Sequence, residues 1–228
     1  MIILTGASGG VGREIIKHLL KIDDLIGIYN TSRLVTSPDK RLTYEQVDIA
    51  KPASIKSFVK KWAPKLSKIT LIHGAAVKID GLTVNYAQAN WDNVMKVNLK
   101  GIFLLTQALL PCMIQQHWGR IIHFSSLGGM QGCPGTIAYS ASKTGLMGMS
   151  RVLAKEYARF NITSNVLAIG YFEVGLFNAL NNDEKKKILN KIPSKKLGEV
   201  SNISNAIDFL IKSEYVNGAI INIDGGAD

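Results

Sequence analysis

The sequence predicts an α/β fold: a doubly wound parallel sheet with helices on both faces, formed as a single domain over residues 1–228. Three observations predict it. Short apolar runs alternate with amphipathic stretches along the whole chain. The glycine-rich segment Thr5-Gly6-Ala7-Ser8-Gly9-Gly10-Val11-Gly12 directly follows the apolar run Met1-Ile2-Ile3-Leu4 and opens an amphipathic stretch, so strand, turn and helix succeed one another. No repeat, low-complexity tract or inter-domain linker interrupts the alternation, and 228 residues suffice to bury a sizeable core.

Taken in order, the first strand is the apolar run 2–4, and the glycine turn hands it to a helix over 10–21. Strands over 25–29 and 42–47 follow, then a helix over 52–62 and an apolar strand over 69–73. A long helix is expected over 87–117. Its part from Gly101 to Gly119 carries no Asp, Glu, Lys or Arg, which raises the question of a membrane span. Gln107, Pro111, Gln115, Gln116 and His117 argue against one and for the buried part of a long helix. A second uncharged stretch, Ile121 to Ser142, is apolar for four residues and then rich in Ser and Gly, and reads as strand (121–125), active-site loop and helix start. A helix over 138–160, a strand over 163–169, a helix over 201–211 and a strand over 220–223 complete the pattern. The stretch from Tyr171 to Gly198 departs from it and reads as a lid over the crevice at the carboxyl ends of the strands.

Composition narrows the function classes. Net charge is +10, but the lysines are scattered, with short clusters at Lys185-Lys186-Lys187 and Lys195-Lys196 and no interleaved aromatics for base stacking. We read a solvated lysine-rich surface, with an acidic partner or an anionic substrate as the alternative, and not a nucleic-acid or membrane surface. Cys112 and Cys133 give neither a disulfide framework nor metal-ligand spacing, so no metal is expected. The N-terminus opens on a strand without a basic leader, and the expected location is cytoplasmic.

Two constellations carry chemistry. In the glycine turn, Gly6 permits the tight turn, Gly10 lets the backbone approach a pyrophosphate and Gly12 lets the helix lie close on the sheet with its positive end toward the ligand. In Tyr139-Ser140-Ala141-Ser142-Lys143, helical spacing places a phenol and an ammonium one turn, roughly 6 Å, apart on one face. A phenol near pKa ~10 is a sluggish acid at neutral pH, and a neighbouring cation stabilises its anion. Lys143 is therefore expected to acidify Tyr139 for acid-base work on a carbonyl.

With both constellations in one open α/β chain of this length, the sequence resembles the short-chain dehydrogenase/reductase family, whose compact members have a single Rossmann-type domain. The resemblance extends to Asn98 in Val97-Asn98-Leu99-Lys100-Gly101, to Ser125-Ser126 at a strand end and to Asp224-Gly225-Gly226. Gln107-Ala108-Leu109-Leu110-Pro111, Ile192-Pro193 and Leu197-Gly198-Glu199 add a look of the 3-oxoacyl-carrier-protein reductases. The resemblance implies catalytic roles for Asn98, Ser126, Tyr139 and Lys143. Ser126 is favoured over Ser125 because it lies thirteen positions before Tyr139, and strand alternation lets one of the two face a substrate. Lys143 would also hold the nicotinamide ribose, and Asn98 would hold a water that resupplies the proton. A capping serine and a kink-forming asparagine are the plainer alternatives.

The cofactor contacts implied are Gly6, Ser8, Gly10, Val11, Gly12, Thr31, Ser32, Arg33, Asp48, Ile49, Gly74, Ala75, Tyr139, Lys143, Gly170 and Phe172. The segment Tyr29-Asn30-Thr31-Ser32-Arg33 holds no carboxylate to bond a ribose 2′-hydroxyl or repel a 2′-phosphate, and Arg33 offers a phosphate grip, so NADP(H) is favoured over NAD(H). Asp48 would accept the adenine amine, or alternatively cap a turn. The chain departs from the family pattern at His73-Gly74-Ala75-Ala76, where Asn-Asn-Ala-Gly is usual, and at Ile169 and Val174, where Pro and Thr are expected. His73 reads as a packed residue. The expected activity is reduction of a carbonyl, such as a 3-oxoacyl thioester carried on acyl carrier protein or coenzyme A, by a homotetramer pairing through its long helices. A catalytically silent nucleotide sensor, an NAD-dependent alcohol dehydrogenase and a sugar-nucleotide epimerase or dehydratase are the other readings; the last generally needs a larger C-terminal domain.

Overall fold

A computed structural model describes residues 1–32, 39–174, 177 and 181–227. Seven strands form one all-parallel sheet: β1 (Ile2–Thr5), β2 (Leu25–Tyr29), β3 (Leu42–Gln46), β4 (Ile69–His73), β5 (Gly119–Ser126), β6 (Ile162–Ile169) and β7 (Ile220–Ile223), in the order β3-β2-β1-β4-β5-β6-β7. The chain winds outward from β1 through β3 and then returns to add β4 on the other side. The strand order thus reverses between β1 and β4, and a crevice opens at their carboxyl ends.

Because successive side chains of a strand point to opposite faces, each strand feeds two cores. On β1, Ile3 joins one apolar cluster with Leu71, Leu105, Leu109 and Met113, while Ile2 and Leu4 join the other with Ile15, Leu19, Ile203 and Ile207. All of these are essentially buried. At about 1.5–3 kcal/mol for each large aliphatic side chain, this two-sided burial is the main favourable term holding helices on both faces.

The first face is covered by α2 (Pro52–Trp62), α3 (Gln88–Met95), α4 (Ile102–Gln116) and α6 (Ile137–Tyr157), and the second by α1 (Gly10–Leu19) and α8 (Val200–Lys212). The short α5 (Leu127–Met130) and α7 (Asn182–Lys191) lie in the connections after β5 and β6.

The expected elements recur with three informative differences. The stretch expected as one helix over 87–117 is continuous from Gln88 to Gln116 and is long and apolar enough to cross a bilayer, yet its Ile102, Leu105, Leu109 and Met113 are fully buried inside the fold. It is not α-helical throughout: Lys96–Gly101 is a π-helical turn. Gly101 lies within this turn, where an added Cβ would come 2.8 Å from the Ile49 carbonyl oxygen, so a larger residue would not fit. Strand β5 starts two residues before the expected 121–125 and includes Arg120, whose charge conceals the strand in the sequence. Its guanidinium is 3% exposed but donates to the carbonyls of Gly119, Asn161 and Ile211, which satisfies the buried charge. The stretch 171–198, expected as a lid, holds α7, whose start is fixed by a reciprocal capping box between Asn181 and Glu184. A bridge between Phe172 and Gly198 closes its base.

Candidate active site

The crevice is built first by backbone. Gly6 has φ +73°, and a Cβ there would stand 2.7 Å from the Ala75 amide nitrogen. The turn after β1 therefore lies directly against the end of β4, where Thr5 Oγ1 accepts from the amides of Gly74 (3.1 Å) and Ala75 (3.2 Å). A Cβ on Gly12 would meet the Gly6 carbonyl oxygen at 2.2 Å, so α1 starts in contact with the turn. No side chain caps α1 and no acidic residue lies in its first turn, which leaves its amides and its positive end for an anion.

A cleft of about 730 Å³ runs from this turn past Gly74 and Ala76 to Ser126, Tyr139 and Lys143, and is closed by Gly170, Phe172, Phe177 and Ile188. A second hollow of about 600 Å³ adjoins it at Gly10 and Val174 and is lined by Ser8, Arg13, Glu14 and Glu173. The crevice thus joins an anion-binding backbone to a mostly apolar chamber with a few polar groups, an arrangement that fits a dinucleotide and a small organic substrate side by side.

The structure brings Ser126, Tyr139 and Lys143 together. Ser126 ends β5, lines the cleft and accepts from the Gly128 amide at 3.1 Å as the N-cap of α5. It therefore has both the capping role and a place in the cleft beside Tyr139, whose value it lowers. Ser125 is buried and donates to the Lys143 carbonyl oxygen at 3.2 Å, tying β5 to α6.

The relation of Lys143 to Tyr139 differs from the expectation. The ammonium is 2% exposed, lies 5.7 Å from the phenol ring centroid and donates to the Phe124 carbonyl oxygen at 2.6 Å. Burial pushes the lysine down to about 8. Burial also raises Tyr139 above the usual phenol range, and what pulls it back is the hydrogen bond with Ser126 and then the charge of Lys78, while Asp80 raises it further. Desolvation dominates at the phenol, so the net shift of Tyr139 is upward, opposite to the expected acidification, with the Lys143 ammonium turned to the Phe124 carbonyl.

Asn98, in the π-helical turn, is fully buried: its Oδ1 accepts from the Val77 amide (2.7 Å), and its Nδ2 donates to the Val77 carbonyl (2.8 Å) and to Ser142 Oγ (3.2 Å). It thereby joins the segment after β4 to α6, one residue from Lys143. Asp48 caps a turn, accepting from the Ala50 amide at 3.0 Å and pairing with Lys51 at 3.3 Å, and Ile49 is buried beside it. Thr31 and Ser32 are exposed beyond β2, and Arg33 lies outside the described residues. Gly170 and Phe172 line the cleft, as does Val174.

His73 is packed, as read from the sequence, but it is not alone. It stacks on His123, its register partner on β5, with ring centroids 5.1 Å apart and planes at 7°. Each Nε2 meets a hydroxyl, Thr106 at 2.8 Å and Ser164 at 3.2 Å, while neither Nδ1 has a partner among the described residues. Burial, then the neighbouring His123 and Lys143 charges, holds His73 well below its ordinary value. Burial and Lys143 push His123 down to about 3.

Sequence reasoning missed Lys78, which lines the cleft with Tyr139 and pairs with Asp80 at 2.8 Å. Its position just beyond the carboxyl end of β4, at the strand-order reversal, was the available signal. The apolar wall formed by Phe177 and Ile188 was missed as well, since it depends on contacts between segments distant in sequence.

A family model described as short chain dehydrogenase matches residues 1–185. Among curated proteins, the chain is 36% identical to the 3-oxoacyl-[acyl-carrier-protein] reductase FabG of Buchnera aphidicola over 98% of this chain and 95% of that one. It is 32% identical to the protein of the same name from Escherichia coli, again over 98% and 95%. A nodulation protein G from Rhizobium sp. is 33% identical over 98% and 95%.

Proposed function

The chain belongs to the short-chain dehydrogenase family and is an oxidoreductase of that family, and from this premise we propose that it reduces the ketone of a 3-oxoacyl thioester with NADPH. The observation that carries the reading is the convergence of Ser126, Tyr139 and Lys143 on one cleft whose floor is the glycine turn. A dihydronicotinamide held in this cleft would supply the hydride. Ser126 holds the carbonyl oxygen by a hydrogen bond, and Tyr139 gives that oxygen its proton as negative charge develops on it. The raised value of Tyr139 keeps it protonated at neutral pH, the form needed for reduction. Lys143, drawn from the Phe124 carbonyl, would hold the ribose hydroxyls and steady the phenolate left behind. Asn98 fixes the segment bordering the site and would support proton resupply to Lys143.

The same residues fit the cofactor. The amides of the α1 start and the close backbone at Gly6, Gly10, Val11, Gly12, Gly74 and Ala75 suit a pyrophosphate and its ribose. NADP is favoured because no carboxylate stands at residues 29–32, where Thr31 and Ser32 offer hydroxyls and Arg33 follows. Arg13, beside Ser8, takes part in no ion pair among the described residues and supplies a further cation near that end of the crevice.

The names of the relatives support an acyl chain on a carrier or on coenzyme A as substrate. The apolar surfaces of Phe172, Phe177 and Ile188 provide one wall for it. We further read the chain as a cytoplasmic homotetramer, a reading supported by the exposed Phe103 on α4 and Val152 on α6. The test pairs NADH and NADPH against acetoacetyl thioesters, diketones, quinones and ketosteroids, following loss of dihydronicotinamide absorbance. Turnover with NADPH and a thioester is expected. Tight NADPH binding with no turnover on any of them would point instead to a nucleotide sensor.

A further inference from the structure

The segment that follows β4 is held over the cleft at every second residue. Val77 is clasped by Asn98 through both its amide and its carbonyl, at 2.7 and 2.8 Å. The Ile79 carbonyl accepts from the Tyr86 hydroxyl at 2.8 Å. The Gly81 amide donates to the Gly135 carbonyl at 2.8 Å, and Gly81 bridges to Thr136, the N-cap of the helix that bears Tyr139. Between these attachments stand Lys78 and Asp80, paired at 2.8 Å, with the lysine lining the chamber of Ser126, Tyr139 and Lys143. Neither the glycine turn nor the hydride transfer accounts for this fixed pair of charges.

The charges facing Tyr139 come from several elements. From its own helix there is Lys143, whose ammonium is engaged by the Phe124 carbonyl. From the segment after β4 there are Lys78 and Asp80, from the end of β5 there is the neutral Ser126, and Tyr171 lines the cleft from the segment after β6. The buried imidazoles of His73 and His123 are neutral near pH 7 and lie near Lys143. Lys78 is therefore a second cation at the phenol, beside Lys143 whose ammonium lies 5.7 Å from the ring centroid.

We propose that Lys78 is a positioning residue of this active site, a second cation that stabilises the Tyr139 phenolate from the far wall of the cleft, with Asp80 as the counter-charge that limits its effect. The inference rests on reading Tyr139 as the acid-base group. Stabilising the phenolate favours the direction in which Tyr139 takes a proton, the oxidation of an alcohol. Reduction near neutral pH starts from the protonated phenol, and there Lys78 acts only on the charge left on Tyr139 as its proton leaves.

The opposite signs of the two partners make the test sharp. In ligand-free protein, tyrosinate ultraviolet absorbance is titrated in each background against the same background carrying Tyr139→Phe. Lys78→Met is expected to move the Tyr139 titration to higher pH, Asp80→Asn to lower pH, and Lys78→Arg to stay with the parent. In turnover at about pH 9, alcohol oxidation is expected to slow in Lys78→Met and quicken in Asp80→Asn, with NADPH binding unchanged. A role confined to holding the loop would shift both variants the same way, because each breaks the same ion pair. That result, or no movement in either titration, overturns the proposal. Because the titration needs no substrate, it stands apart from the reductase reading: expected shifts without turnover on any carbonyl would refute that reading and leave the electrostatic role intact.

Discussion

Replacing Gly12 by alanine probes the contact on which the cofactor cradle depends. The added methyl would sit 2.2 Å from the Gly6 carbonyl oxygen, 3.0 Å from the Gly6 carbonyl carbon and 3.1 Å from the Ala7 Cα. Every one of these neighbours is backbone, so no side chain can rotate away. Restoring an ordinary separation of roughly 3.5 Å requires the start of α1 and the turn to part by about 1 Å. Overpacking of this kind costs about 1–3 kcal/mol. If the turn opens to relieve it, the amides no longer converge, and a loss of about 3 kcal/mol corresponds to roughly a hundredfold in affinity. Gly9→Ala is the matched control: its nearest neighbour is the same oxygen at 3.2 Å, its φ is −76°, and the change should cost about 1 kcal/mol or less. The assays are urea unfolding with and without NADPH and a fluorescence titration of NADPH. Gly12→Ala that unfolds and binds like the parent, or Gly9→Ala that is the more damaged of the two, would refute the close-packed turn.

Other consequences follow from the buried polar groups. Lys143→Met should stabilise the ligand-free protein while abolishing turnover, by as much as about 3 kcal/mol at pH 7, since a lysine lowered from 10.5 to about 8 is costly to bury charged. The cost is full below pH 8 and fades as pH rises toward 10.5, so the two proteins' unfolding curves should converge at high pH. His123, lowered from 6.5 to about 3, makes the folded state lose stability as pH falls through that window, and His123→Asn should remove about 2 kcal/mol of the loss between pH 7 and pH 5 in chemical denaturation. Ser126→Ala should cut turnover by on the order of a hundredfold and cost about 1 kcal/mol for the lost cap, whereas Ser125→Ala, which loses the buried bond to the Lys143 carbonyl, should cost about 1 kcal/mol and leave most of the turnover.

The framework was legible in the sequence because its signals are local. Runs such as Ile2-Ile3-Leu4 and Ile69 to His73 are buried from both sides of the sheet and so lack polar alternation, and the glycine turn between the first strand and helix marks the crevice edge. Helical spacing put Tyr139 and Lys143 on one face, and the resemblance to the short-chain dehydrogenases added Ser126, which lines the same cleft. What escaped depends on contacts between distant segments. Arg120 hides a strand because the carbonyls that satisfy it come from residues up to 91 positions away. The direction of the Lys143 ammonium is decided by the Phe124 carbonyl, not by helical spacing, and the stacking of His73 on His123 follows from β4–β5 register. Lys78 enters the site through ties from Asn98, Tyr86 and Gly135, none of which helical or strand periodicity reveals.

The most direct test of the central claim is the rate of NADPH consumption with an acetoacetyl thioester by the parent protein and by Tyr139→Phe, measured beside NADPH affinity. The account expects an unchanged affinity and a fall in turnover of about a hundredfold or more, since the phenylalanine keeps the ring and removes the proton donor. Turnover that survives the loss of that one hydroxyl would contradict it.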